Sequence, residues 1–197
     1  ILFLFLQHTA INAQTRSIDS MRKGLPFLAG IARIDCLNRL GEQFCYHWIH
    51  ADSALQYSGV AFRQSSSIGY QKGIAEALIL EAAVHGKLLG APQEMLLKSG
   101  KAIEAIRGTK DGRVIVEAYL SFALSLAMLG DYKAAVDTAG IAYQLAVKTN
   151  DQQLRGRAAE TIGFAYAKSG EYWQAFEHLV EAQKIGKETG DSLLASM

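Results

Sequence analysis

Residues 130–151 read GDYKAAVDTAGIAYQLAVKTND, and forty residues on, at 170–191, the chain reads GEYWQAFEHLVEAQKIGKETGD. A fainter copy lies forty residues earlier, at 90–111. Gly90, Gly130 and Gly170 align, as do Ala102, Ala142 and Ala182, Thr109, Thr149 and Thr189, and Asp111, Asp151 and Asp191. A fixed period of roughly 20–50 residues marks stacked units, each too small to bury its apolar face alone. The residues that recur are small or turn-forming. They predict a scaffold and a binding class of function, and they leave the ligand unnamed.

Working outward, the apolar spacing is helical throughout. Residues 113–129 and 132–148 form one predicted pair of helices, and 152–169 and 172–188 the next. Upstream, 71–89 pairs with a helix from Pro92 to about Ile106. Pro92 suits a first turn, where its missing N–H costs nothing. Residues 31–50 carry Ile31, Ile34, Leu37, Leu40, Phe44 and Trp48 at three- and four-residue spacing. They pair with 52–65, for which Asp52 is the expected N-cap and SSSIG at 65–69 the expected break. Residues 15–28 suggest a short amphipathic helix ending near Gly24–Pro26. DSLLASM at the end reads as the opening of a further helix. No alternation of strand type persists. The expected fold is all-α, an α-α superhelix of antiparallel pairs with a period of about 40 residues.

Composition agrees. The 197 residues include two prolines, and half are hydrophobic, ample for a helical core. A formal net charge of +1 gives no global pull toward nucleic acid. No run reaches the roughly 20 apolar residues of a membrane span, so no membrane contact is expected of this segment. ILFLFL at 1–6, followed by QHTAINAQ, reads as the end of a secretory signal peptide cleaved after Ala13. That divides the chain into a signal remnant at 1–13, a lead helix at 14–30 and the repeat array at 31–197, and makes the product exported. Cys36 and Cys45 lie nine residues apart on one predicted helix. That is roughly 13 Å of rise, beyond the about 7 Å a disulfide spans, so both are read as buried apolar residues.

The pairs resemble tetratricopeptide repeats in a forty-residue form. The third pair carries the pattern as Tyr119, Phe122, Ala123, Leu126, Gly130, Tyr132, Ala135, Ala139 and Ala142. The fourth carries it as Ala159, Ile162, Gly163, Tyr166, Gly170, Tyr172, Ala175, Leu179 and Ala182. The second pair departs from it at Met95, and its first helix fits in two registers one residue apart. The first pair keeps Ala54 and Ala61 and lacks the turn glycine. More narrowly, the export signal followed by SIDSM, ARIDCLNRLGE, DSALQYS and GYQKGIAEA resembles the extracytoplasmic sensor region of bacterial membrane-bound histidine kinases. That resemblance implies a periplasmic sensor anchored through a segment outside this sequence. A stand-alone exported scaffold for an envelope complex is the alternative.

The tetratricopeptide resemblance implies a ligand face on the first helix of each pair. Carried over by position, that face is Leu80, Val84, Lys87 and Leu88 in the second pair, with one residue of latitude. In the third it is Glu117, Leu120, Leu124 and Met128 (with Ala127), and in the fourth Arg157, Glu160, Phe164 and Lys168 (with Ala167). Some family members hold a terminal carboxylate with Lys and Asn here. This sequence offers Lys168 alone, so an apolar peptide or amphipathic helix is the expected ligand, with a second copy of the chain the other candidate for the same surface.

No catalytic or cofactor motif is present: no HExxH, no paired CxxC, no nucleophile elbow and no phosphate loop. The expectation is a non-enzymatic segment without catalytic residues, metal or cofactor. His47 and His50 have the spacing of half a metal site without a third ligand, and a helix-end role is expected. His85 is expected to pack, His178 to face solvent beside Glu177 and Glu181, and Trp48 and Trp173 to anchor packing.

Overall fold

The recurring aspartates show how the units connect. Asp111, Asp151 and Asp191 each accept a hydrogen bond at Oδ1 from the backbone three residues on: Val114 N at 3.3 Å, Leu154 N at 3.0 Å and Leu194 N at 3.3 Å. Each caps the helix that opens a pair. The second carboxylate oxygen takes a side chain from the preceding pair's first helix: Lys72 at 2.9 Å, Arg113 at 3.1 Å and Gln153 at 3.0 Å. One residue therefore starts a helix and ties it to the previous unit. The other recurring positions are as local. Gly90, Gly130 and Gly170 have φ of 61°, 90° and 87°, the left-handed region where glycine is unstrained. Ala102, Ala142 and Ala182 are all fully buried.

A computed structural model describes residues 17–46, 50–107 and 109–196. A helical stretch at 17–24 leads into a 3-10 turn, Leu25–Phe27. Then come α1 (Gly30–Tyr46), α2 (Ala51–Ile68), α3 (Gln71–Lys87), α4 (Pro92–Ala105), α5 (Gly112–Met128), α6 (Tyr132–Lys148), α7 (Gln152–Ser169), α8 (Tyr172–Thr189) and a short α9 (Ser192–Ala195). No strand occurs among the described residues. Every helix packs on the next. The first helices of successive pairs, α1, α3, α5 and α7, also touch one another, whereas the second helices α2, α4, α6 and α8 do not. A continuous inner layer beneath a spread outer layer is a curved array, with the first helices on its concave side.

Small residues set the helix separation. Ala135, Ala139, Ala142 and Ala146 form a fully buried stripe on α6, at the spacing that stacks them on one helical face. A Cβ added to Gly163 would meet Leu179 at 2.8 Å and the Ala175 carbonyl at 3.2 Å, so α7 and α8 approach as they do because position 163 has none. Buried Ser99 and Ser125 return their hydroxyls to Met95 O (2.7 Å) and Phe122 O (2.6 Å), which lets them sit among alanines without an orphaned donor.

Several local expectations are corrected. The SSSIG stretch does not break α2. Ser66 and Ser67 bond back to Phe62 and Gln64 within the helix, which runs to Ile68 and ends at Gly69, φ 68°. Asp52 lies in the first turn of α2, and the capping position belongs to His50, which packs edge-on against Phe44. Cys45 is buried, but Cys36 is only half-buried. His178 does not face solvent freely; its ring stacks on Tyr166 at 5.8 Å. Trp173 is 70% exposed and anchors no core. Residues 1–13, His47 and Trp48 lie outside the described residues.

Candidate functional site: the concave groove

Burial fixes the register that the sequence left open. Gly41, Ala82, Ala123 and Gly163 are equivalent buried positions on α1, α3, α5 and α7. The buried residue facing each from the second helix is Ala54, Met95, Ala135 or Ala175. The separation is thirteen residues in the first two pairs and twelve in the last two. The first two pairs therefore carry one extra residue between their helices. Aligning the second pair on Gly90, in the turn, displaces α3 by one.

With that register, the inner face reads in columns. At the N-terminal edge of the first helices lie Asp35, Glu76, Glu117 and Arg157. Next come Asn38, Ile79, Leu120 and Glu160, then Glu42, Ala83, Leu124 and Phe164. At the C-terminal edge lie Tyr46, Lys87, Met128 and Lys168. The first edge is acidic until Arg157 and the last is basic and apolar, an order that complements the helix dipoles.

The expected ligand face is thereby divided. Leu80, Val84 and Leu120 are core residues, 3%, 0% and 4% exposed. Leu80 and Val84 pack with Cys45 and Ala54 beneath α1, while Leu120 packs with Val116 and Leu154. They offer a ligand no surface, and the one-residue displacement is the reason for the first two. Leu88 is half-buried against the same cluster as Leu80. Lys87, Glu117, Leu124, Met128, Arg157, Glu160, Phe164 and Lys168 retain accessible surface. Asp35, Asn38, Glu42, Tyr46, Glu76 and Ile79 share these columns and were missed. Aligning Gly41 with Ala82, Ala123 and Gly163 would have found them.

These residues sense one another across the concavity. Lys87 Nζ sits 4.6 Å over the Tyr46 ring, and Lys168 Nζ 5.5 Å over Phe164. Glu117 is shared by Arg113 at 3.4 Å and Arg157 at 3.7 Å. Tyr46 keeps 41% of its surface, yet its hydroxyl is pushed up to about 12, chiefly by burial and against the pull of Arg157 from the fourth pair. A side chain both accessible and desolvated stands in a groove, walled by protein on most sides. The same environment lowers the Lys87 pKa, first through burial and then through Arg157. It raises Glu42 through burial and Glu117, and Glu160 through burial. The middle of the groove is therefore not simply apolar. It carries Leu124 and Phe164 flanked by ionised groups from all four first helices. Among the described residues no set of three or more His, Cys, Asp or Glu side chains is placed to hold a metal ion.

No protein-family model and no curated protein matches the sequence. Solved structures do. A Rap protein complexed with Competence and Sporulation Factor superimposes with a TM-score of 0.79 at 20% identity, over 96% of this chain and 54% of that one. Aspartyl phosphate phosphatase F from Bacillus subtilis gives 0.73 at 15% identity, over 93% and 51%. A Podosopora anserina putative kinesin light chain with nearly identical TPR-like repeats gives 0.64 at 13%, over 96% and 94%. The chain spans about half the length of the first two of these proteins. At these identities the likeness is one of fold, and the fold is a TPR-like all-α superhelix.

Proposed function

We propose that this chain is a non-catalytic module that binds a protein or peptide in the groove of α1, α3, α5 and α7. The observation that carries the reading is the continuous inner layer: α1 packs on α3, α3 on α5 and α5 on α7, so their accessible residues line one concave surface. The solved Rap structure holding Competence and Sporulation Factor shows a partner bound by a protein of the same fold. Leu124 and Phe164 supply apolar contact, while Lys87, Arg157 and the acidic edge fix orientation.

The broader context is the one the sequence resemblance implies. The module is exported and serves as the periplasmic sensor segment of a membrane-bound two-component signalling protein, its output carried by parts outside this sequence. Stacked repeats flex along their axis, so ligand in the groove changes curvature, which is a transmissible signal. The alternative is a stand-alone exported scaffold that assembles an envelope protein complex.

The test is selection of binders from a displayed random peptide library on the whole chain, followed by affinity measurement with the L124D/F164D variant. A loss of about tenfold or more is expected, since two charges replace the apolar floor. Undiminished binding places the ligand elsewhere. The sensor and scaffold readings separate on the full reading frame: a membrane segment and kinase following the repeats support the first, and a stop shortly after them the second.

A further inference from the structure

We propose that Asp35, Glu42 and Glu76, the last held by the buried Asn38 amide, form at the α1–α3 end of the groove a subsite for a cationic side chain, a lysine or arginine, of the bound peptide. This rests on the groove reading and adds the chemistry of one ligand position.

Asp35, Asn38 and Glu42 fall at i, i+3 and i+7 on α1, one helical face. The packing of α3 brings Glu76 to them. Asn38 is 3% exposed. Its amide nitrogen donates to the Gly73 carbonyl at 3.3 Å and to Glu76 Oε2 at 3.2 Å. Its Oδ1, on the same amide and beside that carboxylate, is buried and receives no donor. Among the described residues Asp35 accepts only the Tyr70 hydroxyl, at 3.1 Å. Glu42 makes no hydrogen bond or ion pair among the described residues. Acceptors thus converge, and the Tyr70 hydroxyl and the Asn38 amide beside them are already used.

Of the nearby cations, Arg39, exposed on α1, acts on Glu42 by its charge alone and does not outweigh burial there, and the others are shared. Lys72 is divided between Glu76 at 3.7 Å and Asp111 at 2.9 Å. Arg113 and Arg157 are engaged by Glu117, and Arg113 by Asp151 as well. Burial pushes Glu76 up to about 7 against the pull of Lys72 and the Asn38 hydrogen bond, and Asp35 and Glu42 add a smaller repulsion. A guanidinium or ammonium on a flexible stem brings several donors and a charge to such a set. The remaining groove, with Leu124 and Phe164 toward the other end, leaves apolar surface for the rest of the same peptide.

The probe is ethylguanidinium chloride titrated into the isotopically labelled whole chain. The Asn38 side-chain amide and the Glu42 and Glu76 carboxyl carbons are followed by NMR, with ethylurea as the neutral control at matched ionic strength. The expected result is a saturable shift at these three residues with a Kd of roughly 1–10 mM, the range for so small a ligand. The neutral analogue produces none, and E42Q weakens binding by about fivefold, the share of one charge-assisted contact. Glu42 has no native bond to lose, so E42Q does not act through unfolding. A linear shift without saturation, an equal response to ethylurea, or unchanged binding by E42Q overturns the subsite. Failure of L124D/F164D to weaken library peptides would count against the groove, a measurement in which ethylguanidinium takes no part, so the two readings fail separately.

Discussion

Glu76 is where the sequence, the packing and the groove meet in one side chain. Burial is the largest influence on it; Lys72 and the Asn38 hydrogen bond pull the other way, and Asp35 and Glu42 add repulsion. Its folded pKa of about 7 stands above the ordinary 4.5, so the folded state binds the proton more tightly than the unfolded one. The stability this confers is fully present below pH 4.5 and is lost as pH rises through 7. That difference corresponds to at most about 3.5 kcal/mol. Unfolding free energy from urea titration is therefore expected to fall between pH 4.5 and 8, and E76Q to flatten part of that fall. Glu42 and Glu160 are raised as well, so some slope survives. An unchanged slope in E76Q would mean that Glu76 titrates normally. None of this was legible beforehand. In the sequence Glu76 is one carboxylate in GIAEALIL, and only the placement of α3 beside Asn38 makes it unusual.

At the scale of the element, the repeat was legible because its turn and capping residues do part of their work within a few positions of themselves. Gly130 and Gly170 adopt left-handed turns, and Asp151 caps the helix that follows it. Thr149 and Thr189 bond back to Leu145 and Ile185 at 3.0 and 2.8 Å. Such chemistry can be read from spacing alone. The register of α3 could not, because one extra residue in a turn has no local signature. It became visible only through which side chains are buried. The same distinction gives a test. Asp151 both caps α7 and receives Arg113, whereas Asp131 caps α6 through Ala134 N at 3.2 Å with no ion pair to another unit. D131A is expected to cost about 1 kcal/mol, the usual value of a cap. D151A should cost that plus the few tenths to 1 kcal/mol of a half-exposed ion pair. A thermodynamic cycle with R113A should recover the extra as coupling. Equal losses in D131A and D151A would show that the aspartate ladder stabilises helices singly and does not join the units.

At the scale of the whole molecule, the contact pattern sets how instability spreads. Among the described residues each pair touches only its neighbours, and the second helices do not meet one another. Free energy in such an array is a sum of unit and interface contributions, and openings propagate from an end. Leu154 is a sharp probe. It is fully buried at the start of α7 and packs with Val116, Leu120, Ala142, Ala146 and Ala158, the joint between third and fourth pairs. L154A removes that contact at about 2–5 kcal/mol, the range for a buried leucine whose site cannot collapse. In native-state hydrogen exchange, protection is expected to fall across α7, α8 and α9 and to fall less in α5 and α6. In α1 and α2, which share no contact with α7, it should stay at its wild-type level. A uniform fall along the chain would show that the array opens as one cooperative body. A localised fall would show that the fourth pair can loosen while the first holds. That is the property the groove requires, since Tyr46 and Arg157 lie on units that must shift relative to each other if a ligand between them is to change the curvature.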